Sequence, residues 1–418
     1  MTPVPAVAAK STRSVTARDG RGMSQTRVRG FRATGIRCGI KPRQPDLALI
    51  VSDVPAAWAG VYTRSSVVGA PVEWNRARTR AGRGLGVVVN SGVSNVATGA
   101  QGRRDAKEMA TLAARATGCR PEEMCVASTG IIGQPLPMAR LRAGIPRAVE
   151  SLSSDGWKRA AQAIRTTDTF PKLAHTRFRL GGRLVNLLGI AKGSGMIEPN
   201  MATLLAFFAT DAAVAPAVLR RALRQAADIS FNRVSIDGET STSDMALLFA
   251  NGESGASLVR SPGTPDARRL QAALDELATS LAREIARDGE GATRLIDVEV
   301  TGARSQAEAE RAARRIANSM LVKTAVFGRD PNWGRILQTV GAARVTVRLP
   351  RVVVRVCGVP LFQDGAPTGE VARRKAARRL RAKEVKLSLH LGAGRARAGL
   401  WTCDLSTDYV RINAEYTT

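Results

Sequence analysis

The chain has 418 residues, enough for a large core and two sub-domains, and its 44% hydrophobic content is that of a globular protein. No apolar run reaches bilayer length, which argues against a membrane span. The formal charge of +28 would suit a nucleic-acid partner, but the arginines run through every segment and aromatics make up only 4%, too few for a base-stacking platform.

Residues 1–29 carry six basic side chains against one acidic, Asp19. They read as a disordered tail over 1–23, with Met23 as an alternative start; the other reading is an organellar transit segment. Asp46–Val51 and Leu85–Val89 are short apolar runs bounded by polar residues or glycine, hence strands. Arg103–Thr117 aligns Ala106, Met109, Ala110, Ala113 and Ala114 on one helical face, closed by Gly118. Met124–Ala127 reads as a strand running into Ser128-Thr-Gly130, and Leu204–Ala209 as a central strand. Pro216 opens a helix with Leu219, Ala222, Leu223 and Ala226 inward. A longer helix from Asp266 aligns Leu270, Leu274, Leu277, Leu281 and Ile285 and stops at Asp288-Gly-Glu-Gly291. Asp297–Val300 and Arg344–Val347 are expected strands, and Arg373–Arg381 is a solvated basic helix face. Alternating strands and helices give an α/β (α+β) class.

The two histidines, His175 and His390, lack ligand-like or triad-like neighbours, so a general base must come from elsewhere. Five cysteines without CxxC spacing argue against a zinc site and a disulfide framework and read as reduced core thiols. One segment offers a remedy for the missing base. Lys192-Gly-Ser-Gly-Met-Ile-Glu-Pro-Asn-Met-Ala-Thr203 is a glycine-rich loop that delivers a threonine to the start of an apolar strand. A cut just before that threonine would make its own α-amine, with a pKa near 7.7–8.0, the base for its hydroxyl.

Taken in order, Gly39-Ile-Lys41, Asn90-Ser-Gly92, Ala127-Ser-Thr-Gly130, Thr166-Thr-Asp-Thr169, Lys192–Met196, Pro199–Thr203, Asp237–Thr242, Asp288–Gly291, Asp330–Arg335 and Ile412–Thr418 resemble the bifunctional ornithine acetyltransferase family. The resemblance covers about residues 30–418. It implies layered sheets covered by helices, N-terminal-nucleophile-like, self-processed between Ala202 and Thr203 into an α chain (24–202 after the tail) and a β chain (203–418). It implies transfer of acetyl from N-acetylornithine to glutamate, in arginine biosynthesis, through an acetyl-Thr203 intermediate. Thr129 and Gly130 match the oxyanion-hole positions, and Thr169, Lys192, Thr203, Glu290, Asn413 and Thr418 the substrate-binding positions. Lys192 offers a cation for a carboxylate and Glu290 an anion for an ammonium group, the pair a zwitterionic amino acid needs. No metal or bound cofactor is implied, acetyl-CoA entering only as an alternative donor. An α2β2 assembly in the cytoplasm is expected, without nucleic-acid or membrane partners. Asp330–Arg335 reads as a structural turn carrying Trp333.

Two stretches depart from the family pattern: Asn90-Ser-Gly-Val-Ser-Asn95 and Thr240-Ser-Thr-Ser-Asp244, where Val93, Ser94 and Ser243 replace the usual residues. Neither touches the nucleophile or the oxyanion pair. They bear on substrate choice, the alternative being a relative acting on another N-acyl amino acid.

Overall fold

The computed structural model describes residues 15–16, 27–198 and 204–415. Ala202, Thr203, Thr418 and nearly all of the 1–23 tail lie outside them.

The first half of the chain supplies β1 (Val15–Thr16), β2 (Phe31–Ile36), β3 (Leu47–Tyr62), α1 (Ala70–Arg78), β4 (Arg83–Val93), α2 (Gly99–Thr117), β5 (Met124–Ile131), α3 (Met138–Glu150) and α4 (Trp157–Ala163). Then come β6 (Lys172–Leu180), β7 (Arg183–Lys192), β8 (Leu205–Thr210), α5 (Pro216–Ile229), β9 (Met245–Ala250) and α6 (Pro265–Arg287). The last third adds β10 (Leu295–Ala303), α7 (Gln306–Ala317), α8 (Met320–Phe327), α9 (Trp333–Gly341), β11 (Val353–Val356), β12 (Val359–Gln363) and β13 (Ala366–Pro367). It ends with α10 (Glu370–Arg379), β14 (Glu384–His390), β15 (Ala396–Cys403) and α11 (Thr407–Glu415).

Strands β1 to β9 form one sheet in the order β1-β6-β7-β8-β9-β3-β4-β5, with β2 also on β3. The register of β3 shifts between Val51 and Ala56: Leu47–Val51 pairs with β2 and β4, whereas Ala57–Tyr62 pairs with β9. This break folds the sheet over on itself. Strands β5 and β7 are five strand spacings apart, about 24 Å along a flat sheet, yet Lys192 Nζ on β7 lies 3.4 Å from Thr129 Oγ1 on β5. Val87 and Val89 of β4 accordingly share an inner core with Ile190, Phe207 and Leu247 of β7 to β9. Outside, Met109 of α2 and Leu141 of α3 cover β3 to β5. Leu219 of α5 and Leu274 of α6 cover β6 to β9. The layers run helices, sheet, sheet, helices, the arrangement expected.

Strand β8 shows why its sequence reads as a continuous apolar run. Leu205, Phe207 and Ala209 point into the inner core while Ala206 and Phe208 point at α5 and α6, so both faces are buried. A second sheet, ordered β13-β12-β11-β14-β10-β15, carries its own core against α7, α9 and α10. The two expected sub-domains are therefore the folded-over sheet up to Ala250 and the smaller sheet from Leu295. The expected chain division after Ala202 runs instead through the larger sheet, between the paired strands β7 and β8.

Several local expectations are corrected. Arg344–Val347 is not a strand: Arg344 takes a left-handed φ of 52°, and Val345 and Val347 pack on the second core from an irregular segment. Helix α2 begins at Gly99, ahead of Arg103, although Gly118 closes it in the left-handed conformation as read. Of the five free cysteines only Cys125 and Cys403 are buried. Asn332 caps α9 by accepting from the Arg335 N–H, and Trp333 stacks on Phe362, a structural role for that motif. Helix α10 buries only Ala376, so its arginines are solvated as expected. No helix of the described residues is long and apolar enough to cross a membrane.

Candidate active site

A cleft of about 410 Å³ opens where β5 and β7 end, β9 begins and the Asp288–Gly291 turn meets α11. It is the right size for an amino acid. Thr129, Gly130, Lys192, Glu290 and Asn413 all line it, five of the positions singled out from sequence. Ala202, Thr203 and Thr418 fall outside the described residues, but the chain on both sides of 199–203 converges here. Lys192 stands opposite Leu205 in the β7·β8 ladder, and Gly195 and Met196 line the cleft.

Lys192 is 5% exposed, and burial pulls its ammonium below the ordinary lysine range, an effect Asp168 opposes. Its Nζ donates to Thr166 Oγ1 at 2.9 Å and Thr129 Oγ1 at 3.4 Å. With a lone pair engaged by the cation, the Thr129 hydroxyl is free to aim its proton into the cleft. The next residue, Gly130, has a φ of 126°, and an added Cβ there would sit 2.3 Å from the Gly92 carbonyl carbon. The parallel β4·β5 register shifts at Gly92–Val93, which breaks the ladder at the level of Gly130. A hydroxyl and an N–H at such a break suit stabilisation of an oxyanion.

Glu290 lines the same cleft as Lys192 and bears on its charge. Its carboxylate is buried, accepts from Asn413 Nδ2 at 2.7 Å, and lies where a Cβ on Gly195 would be, 2.4 Å away. Only glycine at 195 lets this side chain in. Helix α11 brings Tyr409 and Asn413, one helical turn apart, to the same wall. The approach to residue 199 is clamped on a second arm. Asp237 accepts from the Met196 and Ile197 N–H groups, which holds Met196 at a left-handed φ of 56°, and the Glu198 N–H donates to Glu239 O at 2.7 Å.

Thr169 is the described candidate that the cleft lining does not include. Its N–H and hydroxyl both donate to Asp288. Asp288 belongs to a buried network not read from the sequence: Lys172 Nζ reaches Asp168 at 2.7 Å and Asp288 at 2.5 Å, all three side chains being almost wholly buried. Asp168 also accepts from the Gly193 N–H at 2.7 Å. Burial would push the Asp168 carboxyl up, but Lys172, Lys192 and these hydrogen bonds outweigh it and hold it well below the ordinary range. The network fastens the Thr166–Thr169 loop to the strand that carries Lys192. Lys172 and Asp288 lie 116 residues apart, so the Thr166–Thr169 and Asp288–Gly291 motifs marked its ends without signalling that they meet. Of the departures from the family pattern, Ser94 and Ser243 line the cleft while Val93 packs in the core. His175 and His390 lie on β6 and β14, outside the lining, and among the described residues no His, Cys, Asp and Glu cluster suits a metal ion.

Residues 32–418 match the ArgJ family. The chain belongs to the ArgJ family. It is 50% identical over 392 residues to the arginine biosynthesis bifunctional protein ArgJ of Symbiobacterium thermophilum, covering 93% of this chain and 97% of that protein. It is 49% identical over 394 residues to the protein of the same name in Geobacter sulfurreducens, covering 94% and 100%. Among solved structures it resembles an ornithine acetyltransferase complexed with ornithine from Mycobacterium tuberculosis, at 36% identity and a TM-score of 0.40, covering 45% of this chain and 99% of that one. Family membership makes the lined cleft the place to look for acyl-transfer chemistry.

Proposed function

We propose that the cleft moves an acetyl group from N-acetylornithine to glutamate in arginine biosynthesis, with Thr203 as nucleophile after the chain cuts itself between Ala202 and Thr203. The carrying observation is that Lys192 and Glu290, side chains of opposite charge, share one cleft with Thr129 and Gly130. A zwitterionic amino acid fits between them, carboxylate on Lys192 and ammonium on Glu290, with Asn413 steadying the latter. Thr203 attacks the acetyl carbonyl, Thr129 and Gly130 receive the developing oxyanion, and ornithine leaves. Glutamate then enters the same site and takes the acetyl group, a ping-pong sequence that needs no cofactor; acetyl-CoA is an alternative donor. Thr169 acts through Asp288, and Thr418 completes the substrate site from the C-terminus. The α and β chains stay together because β7 and β8 are neighbours in one sheet, and we place the enzyme in the cytoplasm as an α2β2 assembly.

A second reading follows from Ser94 and Ser243, which line the cleft where the family pattern has other residues. It keeps the nucleophile and changes the task, to another N-acyl amino acid or to an amidohydrolase-like passage of the acyl group to water. Incubating purified enzyme with N-acetylornithine and glutamate decides. Formation of N-acetylglutamate, lost in Thr203→Ala, supports the main reading, whereas hydrolysis without transfer supports the second. Transfer by Thr203→Ala at the wild-type rate would refute the nucleophile.

A further inference from the structure

Asp244 is 1% exposed, yet neither carboxyl oxygen has a hydrogen-bond partner among the described residues. An unpaired buried polar group costs about 1–3 kcal/mol and more when charged. The other buried aspartates Asp46, Asp105, Asp168, Asp211, Asp288 and Asp404 are all bonded. The sheet sets where Asp244 stands. Leu205 pairs with Met245 in the parallel β8·β9 ladder and the Met245 N–H donates to Leu204 O at 3.0 Å, so one step back Leu204 lies beside Asp244. The Leu204 N–H and the Ser241 and Thr63 hydroxyls are the polar groups nearest the carboxyl, the Thr63 hydroxyl being spent on Ser241 O, and Lys192 is the charged side chain that bears on it. Leu204 is joined to Thr203, and successive Cα atoms are about 3.8 Å apart. The amino group exposed by a cut before Thr203 therefore belongs to the residue bonded to the strand neighbour of Asp244.

We propose that Asp244 completes a relay of Thr203 hydroxyl, Thr203 α-amine and Asp244 carboxylate, the last accepting a hydrogen bond from the amine. The inference rests on the assignment of Thr203 as nucleophile. As Thr203 Oγ bonds to the acetyl carbon, its proton passes to the α-amine; the C–N bond to ornithine breaks and the departing nitrogen takes that proton. In the second half the glutamate amine attacks the ester, its surplus proton passes to the α-amine, and from there to the departing Thr203 oxygen. Asp244 holds its charge throughout, orients the amine and stabilises the transient ammonium, the part a third group plays behind a catalytic base. Burial pushes the Asp244 carboxyl well above the ordinary range in the described chain. The cation created by processing supplies the partner that lets it ionise.

The cut precedes the amine, so Asp244→Asn is expected to run as two fragments, with kcat about a hundredfold lower and KM changed by less than about twofold. The acid limb of its kcat profile moves to lower pH, because an amine without an adjacent anion loses its proton sooner. Asp244→Glu keeps the wild-type limb. A cut Asp244→Asn enzyme with kcat within about threefold of wild type and an unmoved limb would overturn the proposal. If Asp244→Asn does not fold, cyanate modification of the wild-type β-chain terminus against pH, read by mass spectrometry, decides. Titration at or above the ordinary α-amino range of about 7.7–8.0 supports it, and titration below that range overturns it. Thr203→Ala run in parallel separates the two levels: an active Thr203→Ala enzyme would sink the nucleophile, an inactive one beside wild-type-like Asp244→Asn only the relay.

Discussion

Gly195 shows how narrow the tolerances of the cleft are. The Glu290 carboxylate occupies the space a Cβ would need and cannot swing away, since it is buried and tied to Asn413. Gly195→Ala is expected to raise KM for N-acetylornithine about tenfold by displacing that carboxylate, while the chain still folds and is still cut. Steady-state kinetics and a denaturing gel check both halves. The make-up of the cleft was partly legible: the glycine-rich loop was read from residue types and Lys192 and Glu290 from the family resemblance, and Gly195, Lys192 and Glu290 line one cleft. The buried Lys172 between two carboxylates was not, because a lysine three residues past a threonine motif carries no mark of a partner 116 positions away.

Among the elements, α5 and α6 pack across a seam that holds a half-buried acid. Asp275 on α6 accepts from Gln271 at 2.6 Å and Gln225 at 3.2 Å, and burial pushes its pKa up to about 6. A carboxyl raised in the folded state binds its proton more tightly there than in the unfolded chain. Its penalty is therefore absent well below pH 4 and grows as pH rises through about 4 to 6. Asp275→Asn should remove this dependence, giving a Tm that exceeds wild type at pH 7 by the equivalent of about 1 kcal/mol and shows little gain at pH 4. Thermal melts at the two values test it. Helix and strand positions were mostly readable here: Leu270, Leu274, Leu277, Leu281 and Ile285 recur with helical period, and Pro265 and Asp288 bound the helix. Arg344–Val347 failed because its alternation signalled burial of Val345 and Val347, which the second core provides without any ladder.

On the scale of the whole molecule, the fold-over of the larger sheet makes the site. It brings β5, with Thr129 and Gly130, against β7, with Lys192, and both against the start of β8 and β9. Nothing in the sequence announces this, since it depends on a register shift within one long strand and on pairings between residues far apart in the chain. The α/β class needed only local patterns and was legible. The same architecture lets a cut fall between two adjacent strands without dismantling the sheet, as β7 and β8 on either side of residues 199–203 are bonded to each other. The most direct measurement is the intact mass of the purified protein, before and after incubation with N-acetylornithine. The result expected is two polypeptides, the second beginning at Thr203, with one acetyl group added to that second chain on incubation. Fully active protein found as a single unbroken chain of 418 residues would contradict it.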